Sequence, residues 1–137
     1  MINNSNDLIK EWYKFSMMDW DTANYIYNMQ PKPLEIICYH CQQSAEKMLK
    51  GFLVSNAIEP PRTHDLHQLR NECVKINVDF EDLYDICAFL TQYGIQPRYP
   101  NEINVSEIDA EKALQSVKTI IDFFENHSIE VKAKKSE

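Results

Sequence analysis

Leu34-Glu35-Ile36-Ile37-Cys38-Tyr39-His40-Cys41-Gln42-Gln43-Ser44-Ala45-Glu46-Lys47-Met48-Leu49-Lys50-Gly51-Phe52-Leu53-Val54-Ser55-Asn56 is the stretch on which the fold turns. Ile37, Cys38, Cys41, Ala45, Met48, Leu49 and Phe52 recur at helical spacing and form one apolar stripe. Tyr39, Gln43, Glu46, Lys47 and Lys50 fall on the opposite face. Pro33 suits a first-turn position, where its missing N–H leaves no bond unmade. Asn56 and the pair Pro60-Pro61 mark the stop. The spacing predicts a helix from about Pro33 or Leu34 to Asn56. Such a helix must bury its stripe against other elements, so the flanking segments set the architecture.

Those segments carry the same period. About Ser5 to Asn28 reads as a helix, with Ser5 or Asn6 as cap, Asp7 in the first turn and Pro31 and Pro33 beyond its end. Its stripe is Ile9, Trp12, Tyr13, Ser16, Trp20, Ala23 and Tyr27. A shorter helix spans about Asp65 to Ile76, with Leu66, Leu69, Cys73 and Ile76 on one face and Thr63 or Asp65 as cap. A fourth runs from about Phe80 to Ile95, bringing Leu83, Ile86, Cys87, Leu90, Tyr93 and Gly94 together. The fifth starts near Ser106, with Asp109 in its first turn and Ala110, Ala113, Leu114, Val117, Ile120, Ile121 and Phe124 as its stripe. No run alternates strictly, and the chain has only 2 glycines, which argues against a turn-rich β protein. The expected fold is all-α: an up-and-down bundle of four to five helices with short connections. The whole chain, 1–137, reads as one domain, with its core at about 5–127 and a polar, frayed tail at 128–137.

Composition narrows the function. A formal net charge of -7 argues against a broadly basic nucleic-acid footprint, so such a ligand would have to meet a local basic spot. No apolar run is long enough to span a bilayer, and Met1-Ile2-Asn3-Asn4-Ser5-Asn6-Asp7 has neither the basic nor the apolar region of a secretory signal. A cytoplasmic location, no membrane association and reduced cysteines are expected.

Several clusters have chemical potential. In Gln96-Pro97-Arg98-Tyr99-Pro100-Asn101-Glu102 the prolines restrict the backbone, so Arg98 and Tyr99 sit on a stiff connector. A guanidinium beside a phenol suits a phosphate, a base or a partner's carboxylate. Structurally, the same loop need only turn the chain, with Arg98 paired locally. Cys38-Tyr39-His40-Cys41 has the spacing of a zinc or redox motif, but Cys38, Cys41, Cys73 and Cys87 all fall on apolar stripes and read as small core hydrophobes. In Thr63-His64-Asp65-Leu66-His67, Thr63 and Asp65 suit a helix start, and His67 has no role beyond it. His64 is open between packing on its loop and acting as a base or phosphate contact. The band Gln42, Gln43, Glu46, Lys47 and Lys50 reads either as a solvated face with a Glu46–Lys50 pair or as a dimer seam or ligand wall. The chain has no Gly-rich phosphate loop, nucleophile elbow or HExxH.

Taken in order, Asp19-Trp20-x-x-Ala23, Cys41-Gln42-Gln43-Ser44-Ala45-Glu46-Lys47-Met48-Leu49-Lys50, Arg62-Thr63-His64-Asp65-Leu66 and Arg98-Tyr99-Pro100 resemble the HEPN domain, the higher eukaryotes and prokaryotes nucleotide-binding family. The resemblance covers about Leu8 to Phe124. It implies a helical bundle of four or five helices that forms a homodimer. It also implies similarity to the small members that partner a minimal nucleotidyltransferase in a toxin–antitoxin module. Ribonuclease relatives use an Arg and, after four to six intervening residues, a His. Arg98 stands at that Arg, but the corresponding positions hold Ile103, Asn104 and Val105. A missing general base typically costs about 10²–10⁴ in rate. The expectation is therefore a non-catalytic nucleotide- or RNA-binding subunit or nucleotidyltransferase partner, with Arg98, Tyr99, His64, Asp65 and Lys47 as ligand-binding residues. No catalytic residue, metal or cofactor is expected. The alternatives are a ribonuclease toxin with an atypical site, in which His64 replaces the base, and a structural helical adaptor.

Overall fold

The computed structural model describes residues 5–94 and 104–131. The Pro-bracketed loop, with Arg98 and Tyr99, and the last six residues lie outside the described residues. Helix α1 spans Ser5–Ile26, α2 Leu34–Ser55, α3 Leu66–Val74, α4 Tyr84–Leu90 and α5 Glu107–Asn126. Among the described residues no strand occurs, and the chain is an all-α helical bundle.

Helix α2 is the axis of the bundle, packing against α1, α3, α4 and α5. Its expected stripe is buried throughout, from Ile37 to Phe52. The polar flank differs from a solvated face: Gln42, Ser44, Glu46 and Lys50 are buried as well. A helix with neighbours on nearly every side cannot leave a whole face in water.

Small residues let α1 approach closely. Ser16 Oγ donates to the Ser44 carbonyl at 2.7 Å, and the ring of Tyr13 lies over Gly51, where a Cβ would fall 2.5 Å from Cε1. Below this contact, Phe80 ties the lower half together. Its ring centroid lies 4.6 Å from Phe52, 4.8 Å from Phe123 and 5.8 Å from Phe124.

The expected fourth helix is broken into three pieces. Val78–Leu83 and Thr91–Tyr93 are 3-10 turns on either side of α4. Residues three apart eclipse in a 3-10 turn, so Phe80 and Leu83 both reach the core, which an α-helix would not align as well. Asn77 caps the first turn through Asp79 N–H at 2.9 Å. Thr91 Oγ1 in turn accepts from Leu66 N–H at 3.0 Å, closing the start of α3.

The other ends are set by local chemistry. Ser106 and Asp109 form a capping box at α5, with both bonds at 3.1 Å. α2 and α5 end alike. Ile58 N–H bonds to the Leu53 carbonyl and Ala57 N–H to that of Val54; Ile129 and Ser128 repeat the pattern on Phe124 and Glu125. These are Schellman motifs, with Ala57 (φ 62) and Ser128 (φ 61) in the left-handed position that glycine usually fills.

Candidate functional site

Two carboxylates organise the polar flank of α2. Asp19, from α1, meets His40 Nδ1 at 2.9 Å and Lys47 Nζ at 2.5 Å. Glu46 meets His64 Nδ1 at 2.9 Å through Oε1 and Lys50 Nζ at 2.9 Å through Oε2. Each carboxylate thus holds one imidazole and one ammonium. Gln42 and Gln43 add Nε2 donors to Glu46 Oε1 at 3.3 and 3.5 Å. Lys50 also lies over the ring of Trp12, 5.8 Å from its centroid. The spacing explains the assembly. Residues 42, 46 and 50 recur every fourth position, and 40, 43 and 47 line the neighbouring row.

Burial separates the two clusters. The Glu46 side chain is 5% exposed and that of Lys50 11%, so this pair lies inside the protein. The His64 side chain is 67% exposed, although its Nδ1 is fixed on the buried acid. Its backbone is held too, since Gln42 Nε2 donates to the His64 carbonyl at 3.0 Å. Gly94 sits against the same amide: a Cβ there would fall 3.2 Å from Gln42 Nε2. From Gly94 the chain enters residues 95–103, which carry Arg98 and Tyr99.

The sequence-level candidates therefore fare differently. His64 joins the polar cluster. Asp65 is the N-cap of α3, accepting from His67 N–H at 2.9 Å. Lys47 is committed to Asp19 and is not an unpaired cation. Arg98 and Tyr99 are outside the described residues. The cysteines lie in the core, where burial pushes the Cys38 and Cys87 thiols up to about 12 and raises those of Cys41 and Cys73 strongly. Thiols held protonated in this way are poor nucleophiles.

The model of the HEPN domain matches residues 9–127. The chain belongs to the HEPN family. A crystal structure of TT1696 from Thermus thermophilus shares the fold, with a TM-score of 0.71 and 23% identity, covering 86% of this chain and 96% of that one. No curated protein matches the chain. Among the described residues, no helix is long and apolar enough to cross a membrane.

In this HEPN chain, Asp19 and His40 are cluster members that spacing alone did not single out, whereas Gln42 and Glu46 belong to the band already read as a possible ligand wall. Glu46 and Lys50 announced a helical pair, but not its burial. Asp19–Lys47 and Gln42–His64 join residues 28 and 22 positions apart. No periodicity within one helix could indicate those partnerships.

Proposed function

We propose that this HEPN chain is a non-catalytic recognition subunit. In this role it forms a homodimer, receives a nucleotide or an RNA segment, and docks on a minimal nucleotidyltransferase as one half of a toxin–antitoxin-like pair in the cytoplasm. The residues proposed to meet the ligand or partner are His64, Asp65 and Lys47 together with Arg98 and Tyr99. Family membership supports the class. The observation that carries the site is the buried Glu46 network, which ends on one exposed imidazole. Burying an ion pair costs desolvation that a hydrophobic pair would not, so its retention needs a reason beyond stability. Holding His64 in place is such a reason.

The test is co-expression and co-purification of the full chain with a minimal nucleotidyltransferase from the same organism, with mass measured by light scattering. A dimer that binds this partner is expected, with binding lost in Arg98→Ala at unchanged melting temperature. A monomer that ignores the partner and all nucleotides would remove the proposal and favour a structural adaptor.

One observation favours a second role, a ribonuclease with an atypical base: a carboxylate-held imidazole is the usual arrangement of a general base. Purified protein that cleaves RNA, with cleavage abolished in His64→Ala, would establish it. RNA left intact at high protein concentration would discard it.

A further inference from the structure

We infer that Glu46 fixes the tautomer of His64 so that a bare Nε2 faces solvent, and that this atom accepts a hydrogen bond from a ribose 2′-hydroxyl. The inference rests on the nucleotide- or RNA-binding role proposed above. A carboxylate only accepts. Glu46 Oε1 lies 2.9 Å from His64 Nδ1, and every other group on this carboxylate is a donor: Lys50 Nζ, Gln42 Nε2 and Gln43 Nε2. Nδ1 must therefore carry the proton. A neutral imidazole has one N–H, so Nε2 is left with a lone pair.

The surroundings keep that lone pair aimed. The ring is anchored through Nδ1, and the His64 carbonyl accepts from Gln42 Nε2 at 3.0 Å. Thr63 Oγ1 accepts from Asp65 N–H at 3.0 Å, fixing the turn that follows. His64 is thus held at side chain and backbone while two-thirds of its side chain stays open to solvent. A fixed acceptor discriminates by what the ligand can donate. Phosphate oxygens do not donate in their ionised form, whereas a ribose 2′-OH does. That hydroxyl is also the group by which a protein tells RNA from DNA.

The experiment has two arms on the full chain. The first reads the His64 ring by 15N NMR at alkaline pH, where the neutral ring can be assigned. A protonated Nδ1 and a bare Nε2 are expected in the wild type. Glu46→Gln, which can offer an amide N–H to Nδ1, is expected to move the proton to Nε2. A wild-type ring protonated on Nε2 would overturn the inference, whether or not the variant folds. The second arm measures binding of one fluorescent sequence as RNA, as DNA and as 2′-O-methyl RNA. RNA is expected to bind about two- to tenfold more tightly than the other two, the range of one hydrogen bond, and His64→Phe to erase the difference. Equal binding of RNA and DNA by the wild type would overturn the inference while leaving the recognition role standing. No binding to any of the three would overturn it together with nucleic-acid recognition.

Discussion

At the scale of single residues, Glu46 and His127 make opposite use of charge. Glu46 and Lys50 are a buried pair, so removing one partner strands the other in a poor solvent. Glu46→Ala is expected to cost roughly 3–5 kcal/mol in urea unfolding. Adding Lys50→Met should restore most of it, because the stranded ammonium is then gone. The exposed pair Lys118–Asp122, at 2.7 Å, is the control: Lys118→Ala should change stability by less than about 1 kcal/mol. His127 works at the surface. Its Nδ1 lies 2.8 Å from the Phe123 carbonyl and its Nε2 3.0 Å from Asp79. Both partners accept, so both bonds need the doubly protonated ring. The Phe123 carbonyl, then the Asp79 hydrogen bond, hold its pKa above the usual histidine value, helped by the charges of Asp79 and Asp82. A raised folded value means that this stabilisation is complete below about pH 6.5 and is lost as pH climbs through the folded value. The melting temperature should therefore fall across the near-neutral range in the wild type, and His127→Gln should flatten that slope. A slope unchanged in the variant would place its origin elsewhere.

At the scale of elements, the helix ends show how a chain with 2 glycines stops its helices. The sequence shows Asn56 and a proline pair after α2, but not that Ala57 must turn left-handed. Its φ of 62 carries a steric penalty that glycine lacks. Ala57→Gly is expected to raise stability by about 0.5–1 kcal/mol, read as a shift in urea midpoint at constant m-value. A loss would mean that the entropy of the unfolded glycine outweighs the relieved strain. The start of α5 near Ser106 with Asp109 in its first turn was legible because that signal is local, whereas the reciprocal bonds of the capping box came from the structure. The fragmentation around α4 was not. The stripe from Leu83 to Tyr93 has helical period, and only the demand of Phe80 and Leu83 for a shared core selects a 3-10 entry.

At the scale of the whole molecule, the rings of Phe52, Phe80, Phe123 and Phe124 join α2, the first 3-10 turn and α5 into one unit. Phe80→Ala should cost about 3–5 kcal/mol and lower the cooperativity of melting, since it removes a fully buried ring that touches three others. A cost near that of a surface substitution would show that the turn is peripheral. The sequence by itself determined α1, α2 and α5, the apolar stripes of α2 and α5, and the starts of α3 and α5, because period, proline and capping chemistry act within a few residues; Ile76, expected on the third stripe, lies beyond α3 and is exposed. It also carried the family, through clusters that keep their order along the chain. Only the tertiary structure decided that α2 is enclosed and that its polar flank is a buried network. Residues 18 to 28 positions apart, Glu46 with His64 and Asp19 with Lys47, meet only after the helices pack. The physical reason is one of range. A side chain's local pattern says which way it points on its own helix, whereas its burial and its partner depend on every other surface that closes around it.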